Sequence, residues 1–289
     1  MVCLQSFTLL SLASIAAAQK CKIQFDGRVP SGTALKSFDA DNKLFNSKNV
    51  FGKGLSFSKV LQMPKQAGSL FDGAKNVPTE VTIKLTSPSD KSIFNNQTGF
   101  RRAELVPASN SGTDPSTTGV KTLHFSIAKD PQRLLNTSHE YQMAFLESND
   151  FSTNQVVLKT GTILGGKTAD PDTLQLFGNV NTKPSPPLLF TTPFTAGVTH
   201  NFAMTLDFNA NTTKVFYSTD KTPLKQQGDV FPNEVGGQGQ YHFGLLKKPV
   251  GGEGDITKNG FQPAGINEGV IFSGIFLEDS ADGCVSLSP

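Results

Sequence analysis

Tryptophan is absent from all 289 residues of this sequence, and tyrosine occurs only three times, whereas phenylalanine occurs 23 times. Aromatic side chains form the large flat surfaces on which ring-shaped ligands stack, and the indole ring is the largest of them. An indole platform is therefore excluded. Phenylalanine must fill the core and supply most of the aromatic contacts.

Long hydrophobic runs are also lacking. The apolar stretch at residues 7–18 is shorter than the roughly 20 residues that a membrane-spanning helix needs, so we expect no membrane helix. No Lys or Arg precedes the stretch, but it ends in three alanines, which indicate a signal-peptidase site. We therefore predict a signal peptide over residues 1–18, a single domain over residues 19–289, and secretion from the cell.

Cysteine is scarce, with three residues in the whole chain. Cys3 leaves with the signal peptide, so Cys21 and Cys284 remain at opposite ends of the mature protein. An even pair in an oxidising compartment predicts a disulfide that ties the termini together, with two unpaired thiols as the alternative. Export also makes three N-x-[ST] asparagines candidate glycosylation sites in exposed loops, namely Asn96, Asn136 and Asn211.

The sequence has no strong net charge and no motif in a context that fits a cofactor. The net charge is +2 and no Lys/Arg cluster resembles a nucleic-acid footprint, so we expect no nucleic-acid partner. The histidines have no metal-site spacing. Residues 161–168 satisfy the P-loop expression G-x-x-x-x-G-K-[ST], but a turn-forming Ala-Asp-Pro-Asp segment follows where a phosphate-binding helix should begin. We interpret them as a Gly-rich hairpin and expect no nucleotide and no other cofactor.

Convincing amphipathic helices are missing as well, whereas alternation with a period of two residues recurs. This half-buried strand pattern covers residues 81–86, 123–127, 201–208 and 241–246, with further candidates at 156–158, 214–218 and 269–277. Residues 179–193 and 228–269 are rich in Pro or Gly, and apart from the strand at 241–246 we expect them to be irregular. The prediction is one all-β domain, a β-jelly-roll sandwich of two antiparallel sheets.

Two predicted strands each carry one glutamate among apolar residues. In residues 99–107, Arg102 and Glu104 share a face, and in residues 141–148, Glu147 has the parity of Tyr141, Met143 and Phe145. A carboxylate that points the same way as large apolar side chains lies either in a cleft or in an unfavourable environment. Two carboxylates on neighbouring strands are what glycosidic-bond cleavage requires. The alternative for Glu104 is a surface ion pair of little energetic value.

The strand at 241–246 places His242 opposite the expected core residues Tyr241, Phe243 and Leu245. His242 is then either a solvent-facing side chain or a cleft residue that tunes a neighbouring carboxylate. A Ser-His-Asp arrangement remains open, although no G-x-S-x-G elbow occurs.

Four segments, in order, resemble fungal glycoside hydrolase family 131. Residues 100–107 resemble its R-R-[TA]-E-L-[IV]-P segment and residues 141–148 its H-Q-[IM]-A-F-F-E-S strand. Residues 199–208 resemble its W-H-N-F…D-F strand and residues 241–249 its W-H-[VF]-G-[VL]-L-R-x-P strand. The likeness is specific from about residue 100 to 249 and weaker outside that range.

The resemblance implies a β-jelly-roll β-glucanase that acts on β-1,3-, β-1,6- and β-1,4-linked glucans without a cofactor. It implies that Glu104 and Glu147 are the catalytic carboxylates and that His242 is the essential histidine beside them. Arg102 would hold a carboxylate ionised or bind a sugar hydroxyl, and Gln142 would be a further cleft contact.

The sequence departs from the family pattern where Thr199 and Tyr241 replace tryptophan and where Tyr141 replaces histidine. We expect Tyr241 to substitute in part as a sugar platform, with weaker binding. The hypothesis is a secreted, monomeric β-glucan hydrolase in which one of Glu104 and Glu147 is the acid and the other is the base or nucleophile. One alternative is a non-catalytic glucan-binding or cell-surface protein on the same fold, and another is a polysaccharide lyase acting on uronates.

Overall fold

The structure is a computed structural model that describes residues 21–40, 44–47, 55–64, 68–84, 93, 96–108 and 115–289. The predicted signal peptide, residues 1–18, lies outside the described residues, as do residues 85 and 86 of one predicted strand. The helices of the described part are short: one α-helix, α1 (Phe57–Val60), and two 3-10 turns at Leu35–Asp39 and Pro115–Thr117. None of them has the length and apolarity needed to span a bilayer.

The described chain is otherwise built of strands. In chain order they are β1 (Lys22–Asp26), β2 (Val29–Pro30), β3 (Leu61–Gln62), β4 (Asn76–Val77), β5 (Thr79–Lys84), β6 (Arg101–Leu105), β7 (Val120–Lys129), β8 (Glu140–Glu147), β9 (Asn154–Gly161), β10 (Thr173–Phe177), β11 (Leu188–Pro193), β12 (His200–Asp207), β13 (Thr212–Thr219), β14 (Lys225–Pro232), β15 (Gln240–Lys247) and β16 (Asn267–Asp279).

Two antiparallel sheets pack face to face. The larger sheet has eight strands in the order β14-β13-β12-β7-β16-β5-β3, with β1 also paired to β16. The smaller sheet has six strands in the order β11-β10-β9-β8-β15-β6. Neighbours that are distant in sequence, such as β6 beside β15 and β7 beside β16, give the crossing connections of a jelly roll. The predicted all-β jelly-roll sandwich is confirmed.

Phenylalanine fills the space between the sheets, as the composition predicts. Phe125 of the larger sheet stacks on Phe202 with ring centroids 5.3 Å apart. Phe243 of the smaller sheet meets Phe125 edge-on at 5.8 Å and Phe272 at 6.0 Å. These rings are fully buried. Edge-to-face and offset packing of this kind stabilises a core beyond the area it buries, so phenylalanine alone suffices as large core material.

The two sheets differ in what covers their outer faces. A second apolar cluster, which includes Phe71, Phe216 and Phe276, buries the outer face of the larger sheet. His124 lies in this layer, with its ring stacked on Phe276 at 4.2 Å and Nε2 2.8 Å from Glu278 Oε2. The larger sheet is thus covered on both faces, and the predicted catalytic residues Glu104, Glu147 and His242 lie on the outer face of the smaller sheet.

The irregular stretches predicted from Pro and Gly content are partly wrong. β11 lies within residues 179–193, and most of β14 lies within residues 228–269. Both strands end their sheets. Edge strands need hydrogen bonds on one side only and therefore tolerate Pro and Gly, which masked the strand pattern. β10 was missed because it has only five residues.

The P-loop-like residues form the expected hairpin rather than a strand–helix turn. Gly161 ends β9 in a left-handed conformation, with φ +80°, and the chain returns antiparallel as β10. A Cβ atom at this position would lie 1.9 Å from the carbonyl oxygen of His139, so the glycine is required by a close backbone approach.

The predicted disulfide between Cys21 and Cys284 is present and joins residues 263 apart in sequence. It lies next to the pairing of β1 with β16, in which Lys22 is opposite Asp279. The bond therefore fastens the first described strand to the central strand of the larger sheet.

Replacing both Cys21 and Cys284 with serine should lower the free energy of unfolding by about 2–5 kcal/mol, because the unfolded chain then gains the entropy that the long loop removes. Urea unfolding measures the change. Wild-type protein unfolded in reductant is the control and should match the double variant. Equal stability of the oxidised wild type and the variant would contradict the prediction.

A buried acidic pair lies at one edge of the larger sheet. Burial and the neighbouring Asp130 raise the pKa of Glu80 to about 8. Asp130 is also desolvated, but hydrogen bonds from Glu80 and Arg133 lower its pKa. Arg133 Nη1 lies 2.7 Å from Asp130 and 3.1 Å from Glu80. Glu80 therefore keeps its proton at neutral pH and donates it to the Asp130 carboxylate.

A carboxyl group with a raised folded pKa costs stability as pH rises from its unfolded pKa of about 4.5 to about 8. We predict that Glu80→Gln flattens the decline of unfolding free energy between pH 5 and 8, since an amide can keep the hydrogen bond without ionising. Urea titrations at each pH test this, with the exposed Glu253→Gln as the control. Parallel curves for wild type and Glu80→Gln would refute it.

Candidate active site

Three adjacent strands of the smaller sheet carry the predicted catalytic residues. β15 lies between β8 and β6, so that His242 is flanked by Glu147 of β8 and Glu104 of β6. Gly244 pairs with Glu104 across the β6–β15 ladder. A Cβ atom at Gly244 would lie 2.1 Å from the carbonyl oxygen of Ala103, so glycine is needed for this approach of the strands.

Glu104 is completely buried and has strong hydrogen-bond partners on both oxygens. Arg102 Nε donates to Glu104 Oε1 at 2.7 Å, and Arg102 Nη2 donates to Oε2 at 2.9 Å. Oε2 also lies 2.8 Å from His242 Nδ1. Arg102 Nη1 in turn donates to Gln97 Oε1 at 3.1 Å. A two-pronged guanidinium–carboxylate pair of this kind is strong and directional, and the proposal of a surface ion pair for Glu104 is wrong because neither partner is exposed.

Glu147 lies on the other side of the His242 ring and reaches solvent. His242 Nε2 is 3.5 Å from Glu147 Oε2, and the Glu147 side chain is 21% exposed. The imidazole stacks on the Phe145 ring, which is parallel to it at a centroid distance of 4.5 Å. His242 Nε2 is buried without a hydrogen bond. The three side chains thus form the row Glu104–His242–Glu147, in which Glu147 is the member open to a ligand.

The two glutamates have opposite pKa shifts. Burial favours the neutral form of Glu104, but the Arg102 charge and the hydrogen bonds from His242 and Arg102 outweigh it, so the pKa of Glu104 is lowered. Burial raises the pKa of Glu147, and the nearby Glu104 charge adds to this, against the opposing charges of His242 and Arg102. Opposite shifts in two neighbouring carboxyl groups are the kind of difference that separates an acid from a base.

The prediction that Glu147 shares a face with Tyr141, Met143 and Phe145 is correct for Phe145 only. Tyr141 and Met143 point into the core, whereas Phe145 and Glu147 lie on the outer face. The register with β9 shifts between Gln142 and Ala144, where β8 has one extra residue. Such a bulge reverses the facing of every later residue in the strand. Glu147 reaches the cleft because of this bulge.

The structure contradicts the expectation that Tyr241 is a sugar platform. Tyr241 is 2% exposed, belongs to the core between the sheets, and donates its hydroxyl to the Ser116 carbonyl at 3.2 Å. Thr199 directly precedes β12 in the other sheet. Strand alternation puts any residue before His242 on the core side. The two positions where tryptophan is replaced are therefore not cleft positions.

The structure also places residues that the sequence left undecided or did not reveal. Gln142 of β8 is on the outer face and pairs with Leu246 of β15, which in turn pairs with Arg102 of β6. The Gln142 side chain accepts a hydrogen bond from Asn154 Nδ2 at 2.8 Å. Phe145 was readable from its two-residue spacing to Glu147. Gln97 precedes β6 in a loop, and no pattern in the sequence pointed to it.

The three sequon asparagines, Asn96, Asn136 and Asn211, are exposed, as a glycosylation site requires. Within the described part of the chain, no group of three or more His, Cys, Asp or Glu side chains is arranged to hold a metal ion. The chemistry available at the row of Glu104, His242 and Glu147 is proton transfer.

A jelly roll with a buried, paired carboxylate and a second, partly exposed carboxyl group of raised pKa on one face defines a candidate carbohydrate-cleaving enzyme. The profile of the glycoside hydrolase 131 catalytic N-terminal domain matches residues 23–283. The chain therefore belongs to this family of glycoside hydrolases.

Two crystal structures of the same family are similar to this chain. The catalytic domain of a β-glucanase from Podospora anserina has a TM-score of 0.71 and 21% identity, over 92% of this chain and 98% of that one. The catalytic domain from Coprinopsis cinerea has a TM-score of 0.69 and 21% identity, over 93% of this chain and 98% of that one. At this identity the likeness shows the fold. No curated protein sequence matches the chain.

We predict that Arg102→Met lowers the free energy of unfolding by about 3–5 kcal/mol near neutral pH, because it leaves a buried carboxylate without its cation. The lowered pKa of Glu104 stabilises the fold above its unfolded pKa, and this contribution is lost as pH falls. The difference between wild type and variant should therefore shrink towards acid pH.

Urea unfolding at several pH values between 4 and 7 measures this difference. Arg28→Met is the matched control, because it removes a guanidinium from the more exposed pair with Asp26. A pH-independent difference for Arg102→Met would show that lost packing, not the charge on Glu104, accounts for the effect.

Proposed function

We propose that this protein is a secreted β-glucan hydrolase that cleaves β-1,3-, β-1,6- and β-1,4-glucosidic bonds. Family membership supports the glycosidase reaction, and the similarity to the catalytic domain of a β-glucanase from Podospora anserina supports glucan as the substrate. The leader-like residues 1–18 and the disulfide support secretion.

The observation that carries the proposal is the opposite environment of the two glutamates. Glu147 is the acid: it is open to solvent, and its pKa is raised, which is the direction that favours proton donation to the leaving glycosidic oxygen. Glu104 holds the complementary negative charge, because Arg102 keeps it ionised.

The base is Glu104 together with His242. Glu104 is closed to solvent and is hydrogen-bonded to His242 Nδ1. Its charge therefore acts on water through the imidazole ring, whose Nε2 faces Glu147. Water loses a proton to this pair as its oxygen bonds to the sugar, and Glu147 loses one to the leaving group. His242 Nε2, 3.5 Å from Glu147 Oε2, can then return a proton to Glu147, which resets both groups.

Arg102 and Gln142 complete the proposed site. Arg102 lies on the face of Glu104 and is 6% exposed, so its main effect is on the charge of that carboxylate. Gln142 lies on the same outer face as Glu147, and its amide is a candidate contact for a sugar hydroxyl. Neither role requires a cofactor.

Glu147→Gln should reduce sugar release at least about 100-fold, because the amide occupies the same space but has no proton to donate. Reducing ends released by the mature protein from laminarin, pustulan, lichenan and swollen cellulose measure the loss and rank the linkages. The control is Glu253→Gln, which changes an exposed glutamate in the loop after β15.

Full activity of Glu147→Gln on every glucan would remove Glu147 from the mechanism. If the wild type released no sugar but was retained on insoluble glucan, the protein would be a binder on a hydrolase fold. An unsaturated, ultraviolet-absorbing product would identify a lyase.

A further inference from the structure

The turn that follows Glu147 presents an unusual aromatic residue. Phe151, at the tip of the β8–β9 hairpin, is 69% exposed and has a left-handed backbone with φ +59°. A bulky residue in this conformation is rare and strained, and Asn or Gly would occupy it at lower cost. Burial of the ring cannot account for Phe151, because the ring is in solvent.

The hairpin holds Phe151 in a defined place. Ser148 N donates to the Thr153 carbonyl at 2.9 Å and Phe151 N donates to the Ser148 carbonyl at 2.8 Å. Asp150 Oδ1 accepts hydrogen bonds from Ser148 Oγ at 2.6 Å and from Ser152 Oγ at 2.8 Å. The ring is therefore carried on a closed turn that begins one residue after the proposed acid.

A polar cavity of about 540 Å³ opens beside this turn. Residues of three segments line it: 148–150, 152, 153 and 155 of the hairpin, 179 and 181, and 234, 236 and 237 before β15. The segments are tied together, since Thr153 Oγ1 donates to Asn179 Oδ1 at 2.9 Å and Asn179 Nδ2 donates to the Glu234 carbonyl at 3.1 Å. The volume lies within the usual range for a small-molecule site, about 300–1,000 Å³.

The lining suits a carbohydrate. Exposed carboxylate and amide groups of Asp150, Asn181 and Glu234 offer acceptors and donors for hydroxyl groups. Phe151 stands in the chain between Asp150 and Ser152, two of the lining residues, and its exposed ring is a flat apolar surface. Hydroxyl groups around the edge and an apolar face are the two surfaces of a pyranose ring.

We propose that this cavity is a sugar-binding subsite for a β-linked gluco-oligosaccharide, with Phe151 as its stacking platform beyond the acid Glu147. The inference rests on the proposed glucan hydrolase function, because the lining of the cavity begins at Ser148, one residue after Glu147. It also gives the tryptophan-free chain an aromatic platform at a position other than the two where tryptophan is replaced.

Binding of laminari- and cello-oligosaccharides to the Glu147→Gln protein, measured by isothermal titration calorimetry, tests the subsite without turnover. The protein is made in a host that does not glycosylate asparagine, because Phe151→Asn places an asparagine two residues before Thr153. Adding Phe151→Asn should weaken binding about 5- to 10-fold, in the range of one aromatic contact. The same change should leave the Tm equal or higher, because Asn tolerates φ +59°. Phe151→Trp should bind as well as Phe151 or more tightly.

Phe261→Asn is the matched control, since Phe261 is also an exposed phenylalanine, at 64%, in a different loop. Unchanged affinity of Phe151→Asn, equal losses in Phe151→Asn and Phe151→Trp, or no oligosaccharide binding at all would each overturn the subsite. If Phe151→Asn weakens binding but the wild type cleaves no glucan, the subsite stands and the hydrolase function fails.

Discussion

The buried ion pair between Arg102 and Glu104 is the constraint on which the site depends. Taking a carboxylate fully out of water is unfavourable unless its charge and both oxygens are satisfied. Arg102 does this from two residues away on the same strand, and His242 adds a hydrogen bond from the neighbouring strand. Because the hydrogen bonds need one particular alignment of β6 and β15, the charge and the sheet register support each other.

The rest of the site follows from that alignment. Glu104 is ionised and closed to solvent, and the imidazole of His242 connects it to Glu147, which is partly exposed. The imidazole ring stacks on Phe145. Glu147 faces the opposite edge of the ring in a partly desolvated position, and this difference in burial separates the two glutamates chemically. Two residues of the same type thus have pKa values shifted in opposite directions.

The asymmetry of the sandwich explains why the site is where it is. The larger sheet carries apolar layers on both faces, so its outer histidine, His124, is stacked among phenylalanines rather than presented to a ligand. The smaller sheet has its core on one face and the polar row on the other. The tryptophan positions replaced by Thr199 and Tyr241 lie away from this polar face, so the lack of tryptophan there leaves the cleft unchanged.

Local patterns in the sequence determined most of the inner strands, the disulfide and the identity of the central residues, because alternation, cysteine number and short motifs depend on neighbouring residues alone. The segments that resemble family 131 also singled out Glu104, Glu147 and His242. Tertiary structure decided how these residues meet. The extra residue near Met143 reversed the facing of the later residues of β8, and Tyr241 is buried in the core. Gln97, from a loop, accepts a hydrogen bond from Arg102. Bulges, burial and contacts between distant segments arise from packing of the whole chain, so no period or motif in the sequence records them.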